Sequence, residues 1–420
     1  MRTVEFFKRS VSVLLCVLML IPIFSGCAAS NPPVTDPATE PVTEKLTDPA
    51  TQPATEPATD PITDPVTDPV TEPVVVPPVL FTNPLTGLES ENDLSGKRPV
   101  SLSIDNVKKA MPSIGISLAD VIIELPFEGY ETRLVAIYQD YENLPTVGNI
   151  RSARDYSVRF AADFDSILVH AGSDTDSPRS LALNAIRYGF AVSYLIKMDE
   201  IKYAADREDL WTDGVDTING LNYYPSAMFR DIDRMYDLGL EHSTMINGQV
   251  ICDSISYKSY RTTVKDGFSL PYCIGTKDSA PQGASATQIR VPYNPYMPDY
   301  GCEYQYDAAT GLYKRFSFDH MTHVDGMNGE QIAFKNVIIL EIPANVYEDD
   351  RKNRLNVEYV GEGVGYYCCE GNYERITWSR ADANAGLVIK GADGELLDIV
   401  PGKVMINVYP SRLSEYIKIN

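Results

Sequence analysis

Residues 119–125 read ADVIIEL, and after a short polar stretch residues 133–138 read RLVAIY. Both are apolar runs of strand length, rich in β-branched side chains and too short for a buried helix. Outward from this pair, residues 99–104 (PVSLSI) alternate as a strand does, and 166–170 (SILVH) form another buried strand. Helical spacing predicts helices over 153–164, 179–188 and 227–238, the last stopping at Gly239. Short apolar strands interleaved with helices predict an α/β or α+β domain over residues 81–258.

Beyond residue 259 the pattern changes. A polar connector, 259–287, leads into a segment, 288–420, where Tyr and Gly are frequent and short strands follow one another. Strands are expected at 288–293, 303–307, 312–316, 336–342, 357–359, 365–369, 374–378 and 404–409. Asp307 to Gly311 reads as a hairpin turn, and 361–365 (GEGVG) as a bend between strands. The fold class is therefore an α/β or α+β N-terminal domain followed by a β-rich C-terminal domain, the two expected to fold separately.

Two segments precede them. Residues 1–27 carry Lys8 and Arg9 and then an apolar run, as a signal peptide does. They end in Phe24-Ser25-Gly26-Cys27, which resembles the bacterial lipobox, whose cysteine is acylated. Residues 28–80 repeat Thr-Asp/Glu-Pro units, with nine acidic residues against Lys45. Proline restricts the backbone and almost nothing apolar is available to bury, so this is a disordered, extended linker. A lipid-anchored location on the extracytoplasmic face of the cell membrane follows, with a cell-wall polymer or an envelope protein as the expected partner.

The chain has 420 residues and a formal net charge of -22. This acidity argues against nucleic acid as a partner, because nucleic-acid binders show a basic footprint. Past the linker, Cys252, Cys273, Cys302, Cys368 and Cys369 remain, with no CxxC pair. One or two disulfides are compatible with an exocytoplasmic protein, but no pairing is readable.

The phrases Asn83-Pro84-Leu85-Thr86-Gly87, Ile104-Asp105-Asn106, Ile150-Arg151-Ser152-Ala153-Arg154 and Leu168-Val169-His170-Ala171-Gly172 occur in this order. Glu241-His242-Ser243, Tyr313-Lys314-Arg315 and His323-Val324-Asp325 follow. Together they resemble the YerB-like bacterial lipoproteins over nearly all of residues 83–410. That resemblance implies a two-domain extracytoplasmic lipoprotein and no particular activity. Relatives tend to have Pro where Glu241 stands, which affects the geometry expected around His242.

Arg151 and Arg154, read as three apart at a helix start, are a candidate anion fork, with Arg133 on a neighbouring strand. Asp105, Asp120, His170 and His242 are the candidate polar site around them. The competing reading is an Arg–Asp network that holds strands and loops together. Residues 119–154 also resemble the phosphotransferase domains of the LytR-CpsA-Psr family, which implies an acidic and basic set around a pyrophosphate. In the C-terminal domain His323 and Asp325 are candidates. The histidines at 320 and 323 have metal-ligand character, but the surroundings read as a turn, so no metal and no cofactor is expected. Two functions follow: an envelope binding or assembly module, or a hydrolase- or phosphotransferase-like envelope enzyme using an Arg/Asp/His site. Convergence of Arg133, Arg151, Arg154, Asp105 and His170 in one open cleft would favour the enzyme reading.

Overall fold

The computed structural model describes residues 80–171, 217–219, 229–230, 244–294, 296–297, 301–348, 350 and 352–420. The signal segment, Cys27, the linker up to residue 79, the helix expected at 179–188 and His242 lie outside them.

The opening pair of runs forms strands. In the first half β1 (Val100–Asp105), β2 (Val121–Pro126) and β3 (Thr132–Tyr138) are buried at every residue. Helix α1 (Asp155–Ala162) lies within the expected 153–164, and β4 (Ile167–His170) and β5 (Thr217–Asn219) follow. Within the helix expected over 227–238, Phe229–Arg230 is instead a two-residue strand paired with Thr244–Ile246. Helix α2 (Gly248–Lys258), capped by the Asn247 side chain on the Val250 amide, was not legible in the sequence.

The second half is β-rich, as expected. It supplies β6 (Ala284–Ser285), β7 (Gln288–Val291), β8 (Cys302–Asp307), β9 (Leu312–Ser317) and β10 (Asn336–Ile342). Then come β11 (Gly361–Cys369), β12 (Asn372–Arg380), β13 (Val388–Lys390), β14 (Val404–Pro410) and β15 (Lys418–Ile419). Residues 361–365 are thus the start of a strand and not a bend. Gly363 faces Trp378 across the ladder, and a Cβ there would meet the indole at 2.5 Å, so the ring lies where a side chain would stand.

Among the described residues one 11-stranded sheet runs β6-β12-β11-β10-β14-β2-β3-β1-β4-β5, with β13 beside β12. It crosses the boundary between the two halves. Strand β14 lies parallel to β10 on one side and parallel to β2 on the other, Val404 opposite Val121 and Asn407 opposite Glu124. Where the sequence led to two separately folding domains, one sheet runs through both halves at this seam. The cause is visible in β14, whose Val404, Ile406 and Val408 enter one apolar cluster and whose Met405 and Tyr409 enter the other. A strand apolar on both faces belongs in the interior of a sheet, with a neighbour on each edge. The connector is no break either: Cys273–Ile274 pairs with Asp398–Ile399, and β6 pairs with β12.

One cluster joins a sheet face to α1 and to Ala344, Leu355 and Val357. The other joins the opposite face to α2 and to a second sheet built on β9-β8-β7-β15. Cys369 faces the first cluster and Cys368 the second, because successive strand residues alternate faces. Cys252, Cys273, Cys302, Cys368 and Cys369 are all free thiols.

Candidate functional site

Strands β1 and β2 run parallel and finish at one rim of the large sheet, where β3, antiparallel between them, begins. In sheets of this kind ligands bind beyond the carboxyl ends of parallel strands. A cavity of about 550 Å³ opens at this rim. Asp105 and Asn106 line it from the end of β1, Glu124 from β2, and Thr132 and Arg133 from β3. Tyr293, Ser317 and Phe318 close it from the second half of the chain, and Lys108, Glu131 and Arg151 are also in its wall.

Asp105 is 1% exposed, yet neither of its oxygens accepts a hydrogen bond. Its nearest cation is Arg151, whose Nε stands 3.2 Å from Oδ2 and whose side chain is partly open to solvent. Arg133, directly across the ladder from Asp105, is held by its Nη1 donating to the Ser152 carbonyl and by the Phe127 ring 4.3 Å beneath it. Burial, and then the nearby charge of Arg154, lower its pKa to about 10. Glu131 is shifted the other way, upward, by burial and by the charge of Asp105.

Glu124 forms the opposite wall and is fully engaged. Its Oε1 accepts from Thr132 Oγ1 at 2.7 Å and Asn106 Nδ2 at 3.1 Å, and its Oε2 accepts from Arg315 Nη2 at 2.8 Å. Arg315 also contacts His323 Nδ1 and donates to Ser317 Oγ at 2.8 Å. A buried ion pair therefore joins the two halves directly behind the cavity.

Of the residues expected to form the site, Asp105, Arg133 and Arg151 come together. Arg154 does not join them. Helix α1 starts only at Asp155, so Arg151 precedes the helix and the expected fork on one helical face is absent. Arg154 instead donates Nε and Nη2 to Glu128 Oε1 and Nη1 to the Ala153 carbonyl. His170 is fully buried in β4 and does not line the cavity. Asp120 lies apart, accepting from Asn83 Nδ2 at 2.8 Å and the Gln139 amide at 2.7 Å. Burial lifts its carboxyl to about 6 against those bonds and the charge of Lys403.

His323 and Asp325 are part of the framework. Burial and the adjacent Arg315 hold the His323 imidazole well below its usual pKa, so it stays neutral. Asp325 accepts from the amides of Gly115, Ser117 and Met327 and from Ser117 Oγ, at 2.6–2.8 Å. His320 turns away to Glu303 at the surface, in a turn where Phe318, Asp319 and His320 all have positive φ. Among the described residues no three His, Cys, Asp or Glu side chains gather as metal ligands.

Family models described as "Protein of unknown function (DUF3048) N-terminal domain" and "Protein of unknown function (DUF3048) C-terminal domain" match residues 85–231 and 289–406. A Bacillus subtilis protein named "Putative lipoprotein YerB" is 29% identical over 329 residues, covering 78% of this chain and 86% of its own. The crystal structure of YerB from Bacillus subtilis superposes with a TM-score of 0.62 at 28% identity, covering 81% of this chain and 99% of that one. The chain belongs to the YerB-like family. The expected resemblance is thereby established. The two family segments meet at the β14–β2 seam, and the cavity is walled by both.

Sequence reasoning did not single out Glu124, Asn106 or Thr132. The signal was present for Glu124, the one charged residue within the apolar run 121–125. For Asn106 and Thr132 it was absent, since their roles depend on a strand pairing no local pattern encodes.

Proposed function

We propose that this is a lipid-anchored, extracytoplasmic envelope protein whose folded body binds a polar ligand in the cavity at the ends of β1 and β2. The anchor reading rests on the lipobox-like Phe24-Ser25-Gly26-Cys27 and on the word "lipoprotein" in the name of the Bacillus subtilis relative. The binding reading is carried by one observation. Asp105 is a carboxylate almost wholly removed from water, accepting no hydrogen bond, in the wall of an open cavity. Such a group costs free energy unless something completes it.

Binding is favoured over catalysis by what the cavity wall holds. Convergence of all five residues would have favoured the enzyme reading, and Arg154 and His170 lie outside the cavity wall. Among the described residues of the wall there is no histidine or cysteine to serve as base or nucleophile.

Two measurements test this. Replacing Cys27 with Ala should move the protein from the membrane to the soluble fraction; retention on washed membranes would remove the anchor reading. Muramidase fragments of peptidoglycan should be retained by the wild-type protein, and Arg151→Ala should weaken retention about tenfold while leaving the melting temperature within a few degrees. Retention unaffected by this change would dissociate binding from the cavity.

A further inference from the structure

At Asp105 and Asn106 the inner wall of the cavity is short of donors. Asp105 Oδ1, Asp105 Oδ2 and Asn106 Oδ1 are buried and accept no hydrogen bond. Both residues are themselves nearly inaccessible, at 1% and 3% exposure, and both line the cavity. The orientation of Asn106 follows from its neighbours. Its Nδ2 donates to Glu124 Oε1 and to Thr132 Oγ1 at 2.6 Å, so the carbonyl oxygen is the atom left over. Glu124 cannot be relieved of those bonds cheaply, because Arg315 fixes its other oxygen. Arg151 offsets part of the Asp105 charge, but its Nε makes no hydrogen bond and leaves the carboxylate lone pairs open.

Three unused acceptors, one of them charged, call for a group that only donates. A primary ammonium has three N–H donors and no acceptor, and its charge matches a buried carboxylate. A phosphate or carboxylate would do the reverse, since it brings acceptors to acceptors. Toward solvent the balance inverts, with Arg151 partly exposed and Lys108 exposed beside the cavity.

We infer that the floor formed by Asp105 and Asn106 is a subsite for a protonated primary amine, on a ligand whose anionic group faces Arg151 and Lys108. This assignment rests on the binding function proposed above and names its ligand class: an amine-bearing, overall zwitterionic fragment such as a wall peptide provides. It differs from the anion fork expected from the sequence, because the innermost charge of the site is negative.

The test uses the full-length protein in detergent micelles and a muramidase digest of peptidoglycan in three forms: native, N-acetylated with acetic anhydride, and amidated at its carboxylates. Bound fragments are counted by mass spectrometry. Native fragments should be retained at least tenfold better than N-acetylated ones, and amidation should lower retention by a smaller factor. Asp105→Asn should remove the preference for the free amine, leaving the weak retention of acetylated fragments unchanged. The acetylation arm needs no variant, so a folding defect in Asp105→Asn does not spoil it. Equal retention of native and acetylated fragments would overturn the amine subsite and leave the binding function standing. Retention of none of the three forms would overturn both.

Discussion

Asp163, at the end of α1, and Asp105, at the end of β1, are both almost wholly buried carboxylates. Their surroundings differ. The oxygens of Asp163 accept from Arg380 Nη1 and Nη2 and from the Leu387 amide, at 2.6–2.9 Å. Those of Asp105 accept from nothing, although Arg151 stands at ion-pair distance. Arg380 is itself consumed, donating also to the carbonyls of Tyr359 and Ala385. A carboxylate that accepts three hydrogen bonds, facing an arginine whose three nitrogens all donate, is a joint of the fold. A carboxylate with the same burial and no donors, beside an open cavity, is left for something else.

The largest effect should come from breaking the joint. Arg380→Met removes the cation from the buried Asp163 and the guanidinium from between the Phe160 and Tyr359 rings. Removing one partner of a buried pair costs on the order of 3–5 kcal/mol. Denaturant unfolding should show a loss of that size; a loss under about 1 kcal/mol would mean that full satisfaction does not mark a structural carboxylate here.

Asp325 is the same kind of joint across the seam between the family's two segments. Asp325→Asn keeps one acceptor oxygen but turns an NH2 group toward amides that already donate. A cost of about 2–3 kcal/mol is expected, from the donors left unpaired at Gly115, Ser117 and Met327. Because Asp325 ties the second half to the first, unfolding should remain a single transition. Appearance of a separate early transition for either half would restore the two-domain division that the sequence suggested.

Asp120 sits between the two extremes, with two donors and a neighbouring lysine but a pKa raised from 3.8 to about 6. Its folded pKa exceeds its unfolded one, so the native state holds the proton more tightly. The stability this supplies is complete below about pH 4 and is lost as pH rises through 6. The full shift corresponds to about 3 kcal/mol, and partial exposure reduces it to roughly 1–2. Stability measured between pH 4 and 7 should fall by that amount in the wild type, and Asp120→Asn should flatten the curve. Wild-type and variant profiles of the same slope over this range would show that Asp120 titrates normally.

These joints also explain how much was legible in the sequence. The run 336–342 became β10 with the expected bounds because seven apolar-dominated residues in a row leave no alternative to a buried strand. Phe229–Arg230 was misread because apolar residues at helical spacing surround it, while its strand depends on pairing with Thr244 and Met245. The seam was invisible, since β14 and β2 lie far apart in the chain and nothing local selects one parallel neighbour over another. Asp105, Arg133 and Arg151 come together at the rim, and charges at strand ends stand out in a sequence. Arg154 was placed with them wrongly, because the helix begins at Asp155 and Glu128 stands within reach of its guanidinium. Whether a buried charge is satisfied is a tertiary property, and that property separates Asp105 from Asp163.

The smallest effect, and the one that sharpens the comparison most, belongs to Asp105→Asn. The substitution keeps the shape and removes a charge that no hydrogen bond stabilises. It forfeits the attraction of Arg151, whose partly exposed guanidinium can turn to water at little cost. It also ends the burial of an ionised group without donors, which is a destabilising feature. The two terms oppose each other, so the net change should lie within about 1 kcal/mol of zero, in either direction. Thermal unfolding of the unliganded protein measures it directly. A loss approaching that of Arg380→Met would place Asp105 with Asp163 among the joints of the fold. A small change, together with loss of the amine preference, separates a residue kept for binding from residues kept for folding, although both carboxylates are almost wholly buried.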